Sequence, residues 1–117
     1  MVIKMKLIIG SHVSFNKDEQ LVKSVKEAIS YNANTFMFYT GAPQNTRRDS
    51  IDMNLVEEAK RLMNENNIDI NNVIIHAPYI VNLANENNFE FSINFLKQEI
   101  ERAHILGIKK VVLHPGS

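Results

Sequence analysis

Cysteine does not occur in this sequence. Its absence excludes disulfide frameworks, thiolate zinc fingers, iron–sulfur clusters and cysteine nucleophiles, and it leaves four histidines as the only soft metal ligands available. Neither sign of charge is in excess, because 13 basic side chains face 13 acidic ones. A formal net charge of zero argues against a small protein that coats nucleic acid through bulk positive field. Any phosphate partner must be held by local charge or by metal. No apolar run approaches the roughly 18 to 20 residues that a membrane-spanning helix needs. The start, Met1 to Lys6, has two lysines but no apolar stretch ending in small residues, so no secretory leader is expected and the expected compartment is the cytoplasm.

What remains is ordinary for one globular segment: 117 residues, 44% apolar and 22% charged. Four short runs rich in Val, Ile, Leu, Phe and Tyr recur, at Lys6 to Ile9, Thr35 to Tyr39, Asn72 to Ile75 and Lys110 to Leu113. With little polar alternation, each is expected to be a strand buried on both faces, as in a parallel sheet. Between them lie three stretches of helical spacing. The first sets Leu21, Val22, Val25, Ala28 and Ile29 on one side, and the second Leu55, Val56, Ala59, Leu62 and Met63. The third sets Leu96, Ile100, Ala103 and Leu106 together, turns Glu99, Glu101 and Arg102 outward, and ends at Gly107 as a C-terminal cap. The order β-α-β-α-β-α-β requires right-handed crossovers and leaves an open doubly wound sheet or a closed barrel. The regular strand spacing favours successive units of a (β/α)8 TIM barrel, of which about the first half is present. Gly10, Gly41 and Gly116, with Pro43, Pro78 and Pro115, each follow an expected strand, which places irregular, site-forming loops at the C-terminal side of the sheet.

Three histidines stand at or just beyond strand ends: His12, His76 and His114. The last two occupy near repeats, Val-Ile-Ile-His-Ala-Pro and Val-Val-Leu-His-Pro-Gly, one βα unit apart. Neighbouring parallel strands lie about 4.8 Å apart, so two such imidazoles can converge on one ion with Zn–N distances near 2.0 Å. Two buried, hydrogen-bonded histidines are the plainer alternative, and the pattern alone leaves both open. The loop after the first strand lacks the Gly-x-Gly-x-x-Gly phosphate pattern, so dinucleotide binding is not expected; His12 suits a supporting hydrogen-bonding role better than direct ligation. His104 falls mid-helix as an ordinary surface residue. The polar loop from Thr40 to Arg48 offers Gln44, Asn45, Arg47 and Arg48 for phosphates or base edges, although composition alone favours the plainer reading, a solvated Arg pair ahead of Asp49 and Asp52. Tyr79 and Ile80 are either core residues of a short turn or an apolar wedge of the kind that unstacks DNA bases.

Taken together, Gly10-Ser11-His12-Val13-Ser14, the Thr35 to Arg48 run TFMFYTGAPQNTRR, the Val73 to Ala84 run VIIHAPYIVNLA and the terminal VVLHPGS resemble the endonuclease IV family. These are apurinic/apyrimidinic endonucleases (AP endonuclease family 2), also called deoxyribonuclease IV. The four motifs occur in the family's order along essentially the whole chain. The resemblance implies a (β/α)8 barrel of the xylose-isomerase-like type with three zinc ions. Such an enzyme cleaves the phosphodiester 5′ to an abasic site in double-stranded DNA during base excision repair, leaving a 3′-hydroxyl and a 5′-deoxyribose phosphate.

By position, the resemblance makes His76 and His114 ligands that share one zinc and places His12 in the shell behind them. It assigns Tyr79 and Ile80 to the loop inserted where the abasic nucleotide is flipped out, with Asn82 in the same motif. Gln44 and Asn45 fall in the loop that enters the minor groove. Some members carry Arg at or near Gln44, a role that Arg47 or Arg48 is expected to take here. The family's further ligands, a bridging Glu and other Asp, His and Glu residues on later strands, have no counterpart in these 117 residues. Residues 1–117 are therefore expected to be the incomplete N-terminal portion of a single barrel domain. Alone, that portion is expected to be inactive or weakly metal-binding, with sheet edges open to self-association. Two rivals stand beside this expectation: a divalent-metal sugar isomerase or epimerase of the same barrel type, and a half-barrel fragment without chemistry.

Overall fold

A computed structural model describes residues 9–41, 47–77 and 89–113. In chain order the elements are β1 (Gly10–His12), α1 (Leu21–Ser30), β2 (Thr35–Phe38), α2 (Met53–Glu65), a single 3-10 turn (Ile70–Asn72), β3 (Ile74–His76), α3 (Phe89–Leu106) and β4 (Lys110–Val112). The strands form one parallel sheet in the spatial order β1-β2-β3-β4. A doubly wound sheet reverses its strand order at a switch point. Here every strand lies beside its predecessor, and the helices share one face. Buried Phe36, Phe38 and Ile75 pack with Leu21, Val25 and Ala28 of α1, Val56, Ala59 and Met63 of α2, and Ala103 and Leu106 of α3. This is the winding of a (β/α)8 barrel, four strands along. None of the described helices is long and apolar enough to cross a membrane.

Strands β2 and β3 are buried on one face, not on both as their composition suggested. Along β2 and β3 burial alternates: Phe36, Phe38 and Ile75 are covered by helices, while Thr35, Met37, Ile74 and His76 are half-buried. The side facing away from the helices is the one a barrel covers only when its remaining strands close around it. The first strand also differs from expectation. Residues 6–8 lie outside the described set; Ile9, the last residue of the apolar run, accepts from the Asn34 N–H at 3.0 Å, and the ladder to β2 continues through Gly10 to His12. Gly10 therefore belongs to the strand and not to the loop after it. It lies so close to β2 that a Cβ there would sit 2.4 Å from the Thr35 carbonyl oxygen. Ser11 and His12 continue the ladder opposite Phe36 and Met37 although polar. The pairing runs through backbone groups and needs no apolar side chain.

Each helix ends the same way. Asn32, Asn67 and Gly107 adopt positive φ (57°, 59° and 79°). The next residue's N–H then reaches back to a carbonyl of the last turn: Ala33 to Ala28 (3.0 Å), Ile68 to Met63 (2.9 Å) and Ile108 to Ala103 (2.9 Å). This closing loop satisfies carbonyls that the helix leaves orphaned, and it favours Gly or Asn at the left-handed position. Asn takes that position at two of the three ends, Asn32 and Asn67.

Gln20 ties the start of α1 to the start of α2. Its buried amide donates through Nε2 to the Ser50 carbonyl (2.9 Å) and accepts through Oε1 from the Asp52 N–H (3.0 Å). Asp52 in turn caps α2 by accepting from the Asn54 N–H (2.9 Å). Gln20→Ala deletes both cross-links and strands two backbone groups, so urea unfolding is expected to show a loss of about 2 kcal/mol. A loss below roughly 0.5 kcal/mol, the size of an ordinary surface change, would show that the cross-link carries no weight.

The face that α3 buries is shifted from the expected one. Ser92, Phe95, Glu99, Arg102, Ala103 and Leu106 are buried, whereas Ile100 is 53% exposed. Glu99 and Arg102 thus point inward, the reverse of the sequence expectation, because each finds a buried partner of complementary chemistry. Glu101 and His104 face solvent as expected.

Candidate functional site

Three rings meet above the C-terminal ends of adjacent strands. His12 ends β1, Tyr39 follows β2 and His76 ends β3. The Tyr39 ring lies 4.8 Å from each imidazole, and the imidazoles are 6.4 Å apart. Backbone bonds continue past the strand ends and hold this rim in place: Val13 N–H to the Met37 carbonyl and Ala77 N–H to the Val112 carbonyl, both 2.8 Å. The apolar pattern marks Tyr39 only as the last residue of a strand. Its functional signal is positional, since it stands at the end of the second strand run as His76 does in the third.

His76 Nδ1 lies 2.7 Å from the Ala77 carbonyl oxygen. A carbonyl only accepts, so Nδ1 carries the hydrogen and the lone pair of the neutral ring is on Nε2. This is the orienting contact that metal-bound imidazoles commonly make through their second nitrogen. His12 is held below its ordinary pKa, first by partial desolvation and then by repulsion from His76, with Glu27 opposing both. It therefore favours the neutral form. Among the described residues no three His, Asp or Glu side chains group as a metal site. The chemistry of His76 fits zinc; His114, its expected co-ligand, lies outside the described residues. The β3–β4 ladder sets His76 beside Val112, two residues before the position that motif alignment assigns. An even offset preserves the face, and stagger of this sort belongs to the shear of a barrel.

The two adjacent arginines have different fates. Arg47 is exposed, whereas the Arg48 side chain is only 1% exposed and its Nε donates to Glu99 Oε1 at 2.8 Å. Thr40 Oγ1 donates to the other carboxylate oxygen at 2.6 Å. Arg102 donates from Nε to Thr40 Oγ1 (3.1 Å), from Nη2 to the Thr40 carbonyl (2.9 Å) and from Nη1 to the Asp49 carbonyl (2.6 Å). Burial pulls the Arg102 pKa down, Glu99 supports it and Arg48 adds repulsion. Sequence reasoning does not identify Thr40, Glu99 and Arg102 as parts of this site. The spacing of Ser92, Phe95, Glu99, Arg102 and Leu106 along one helical face carries that signal. Beside this cluster a polar hollow of about 180 Å³ is lined by Lys17, Thr40, Arg47, Asp49 and Arg102 among others. Gln44, Asn45, Tyr79, Ile80 and Asn82 lie outside the described residues.

Comparison with known proteins gives concordant results. A sequence model of the xylose isomerase-like TIM barrel family matches residues 25–117. The chain is 55% identical over 116 residues to a "Probable endonuclease 4" of Ureaplasma urealyticum, covering 97% of this chain and 38% of that protein. It is 51% identical over 114 residues to the protein of the same name in Bacillus subtilis, covering 95% and 38%. Among solved structures, endonuclease IV from Thermus thermophilus superposes with a TM-score of 0.82 at 30% identity, over 92% of this chain and 40% of that one. The chain thus spans about two-fifths of the length of these relatives.

Proposed function

This chain belongs to the xylose isomerase-like TIM barrel family, and from that premise we propose that it is the N-terminal part of a zinc-dependent endonuclease IV. The activity inferred for the complete enzyme is hydrolysis of the phosphodiester 5′ to abasic sites in double-stranded DNA. The observation that carries the reading is His76, fixed at a strand end with its lone pair on Nε2 by the Ala77 carbonyl. His76 and His114 are the residues that would hold zinc, with His12 behind them. When bound, zinc supplies hydroxide from a coordinated water and polarises the phosphoryl oxygen.

The chain's own groups then act on the substrate. Exposed Arg47 offers a guanidinium to a backbone phosphate. Gln44 and Asn45 are assigned to the minor groove, and Tyr79 and Ile80, with Asn82, to the gap left by the extruded nucleotide. Selectivity for abasic sites follows because extrusion is cheapest where no base pair or full stack is broken. A neutral chain suffices when positive charge is concentrated at the reacting phosphate. The sugar isomerase rival shares the fold, but relatives at 50–55% identity that bear the endonuclease 4 name argue against it. With β1 and β4 as sheet edges, the 117-residue chain alone is proposed to self-associate.

The test is a chimera joining this chain to the remaining portion of the Bacillus subtilis relative, compared with the chain alone. The chimera is expected to bind zinc and to cut abasic-site duplex in preference to intact duplex, and the chain alone to cut neither. Equal treatment of the two duplexes by a folded, zinc-loaded chimera would refute the repair reading.

A further inference from the structure

Thr40 and Arg48 are both tied to α3, and one buried carboxylate joins the two ties. Residues 41–47 run between Thr40 and Arg48, and residues 78–88 lead into α3. Glu99 of α3 accepts from Thr40 on one oxygen and from Arg48 on the other. Arg102, one helical turn on, grips Thr40 through both its hydroxyl and its carbonyl and reaches past Arg48 to the Asp49 carbonyl. We propose that Glu99 and Arg102 form a clasp that ties Thr40 and the Arg48–Asp49 stretch to α3 and so sets the direction in which the neighbouring Arg47 is presented to nucleic acid. The DNA part of this proposal rests on the repair reading. The clasp itself rests on the hydrogen-bond geometry alone.

Burying ions is costly, and an apolar set of similar volume would pack at least as well. What charged, hydrogen-bonded groups add is direction, because a guanidinium or a carboxylate binds its partner in few orientations. Here both carboxylate oxygens are used and the donors come from opposite ends of one loop. The sequence accommodates the arrangement at Gly41, where a Cβ would lie 2.6 Å from Arg48 Nη1. The Arg48 guanidinium also rests 5.0 Å from the Phe95 ring centroid, a further contact with α3. Arg48 is accordingly a positioning residue, and Arg47 is the member of the pair that meets phosphate.

The experiment uses the 117-residue chain and its variants E99Q, R48K, T40V, T40S and R47A. Amide exchange across residues 40–49 is followed together with binding to abasic-site duplex over a range of salt. E99Q, R48K and T40V are expected to speed exchange in that segment and to weaken duplex binding about tenfold by misplacement, with the salt slope unchanged. T40S, which keeps the hydroxyl, is expected to behave as the unaltered chain. R47A is expected to leave exchange unchanged and to lower the salt slope by about 1. Unaltered exchange in both E99Q and T40V overturns the clasp. So does a salt slope lowered in R48K, or unfolding of the whole molecule in E99Q, R48K and T40V alike. If the unaltered chain ignores abasic duplex, the repair reading loses its support at this site, and the exchange comparison still decides the clasp.

Discussion

In the chimera, His76→Ala is expected to abolish zinc retention at its site and to lower abasic-site cleavage by more than the roughly 10- to 100-fold that loss of an outer partner costs. The expectation comes from the state of the ring. The Ala77 carbonyl takes the Nδ1 hydrogen at 2.7 Å, so in the neutral ring Nε2 is the atom with the lone pair. Alanine removes that atom and leaves the strand intact, since the β3 backbone pairs with β2 and β4 on both sides. His12→Ala should separate from it. His12 belongs to the same ring cluster, but its proposed role is support, and a loss within the roughly 10- to 100-fold range with zinc retained is expected. Elemental analysis and cleavage rates on the same preparations check both. A His76→Ala chimera that holds zinc in full and cuts at the original rate would remove His76 from the site.

Much of this site was readable because strand ends are marked twice, by an apolar run that stops and by a polar or aromatic residue that follows. His12 and His76 emerged that way. The fold was readable for a related reason: three amphipathic segments between four short runs leave few topologies, and spatial order alone had to be supplied by the structure. Two features escaped. The extension of β1 through Gly10, Ser11 and His12 escaped because these residues carry no hydrophobic signal, and their pairing with β2 runs through the backbone. The buried face of α3 escaped because periodicity counts apolar residues, and this helix buries Glu99 and Arg102 while exposing Ile100. A charge is placed inside only when a partner distant in sequence receives it. Arg48 and Thr40, more than fifty positions away, cannot be assigned as that partner from one sequence.

The buried charges predict a marked asymmetry in stability. Glu99→Leu leaves the Arg48 and Arg102 guanidiniums close together without their shared carboxylate, and a loss of about 3–5 kcal/mol is expected for breaking such a pair. That is a large part of the roughly 5–15 kcal/mol that holds a domain of this kind together. Arg48→Met is expected to cost less. Glu99 then still accepts from Thr40 at 2.6 Å and still faces Arg102, whose charge it supports. In the double variant the unpaired charge left by Glu99→Leu is relieved in part, and methionine can keep the packing against Phe95. The double loss should therefore fall short of the sum of the singles by about 2–3 kcal/mol. Glu99→Gln keeps the volume and an acceptor for Thr40, so it should fall well below Glu99→Leu. Urea unfolding of the four variants at neutral pH measures the cycle. Additive losses would mean that Glu99 and Arg48 act independently, and a Glu99→Leu chain as stable as the original would mean that the carboxylate is dispensable to the fold.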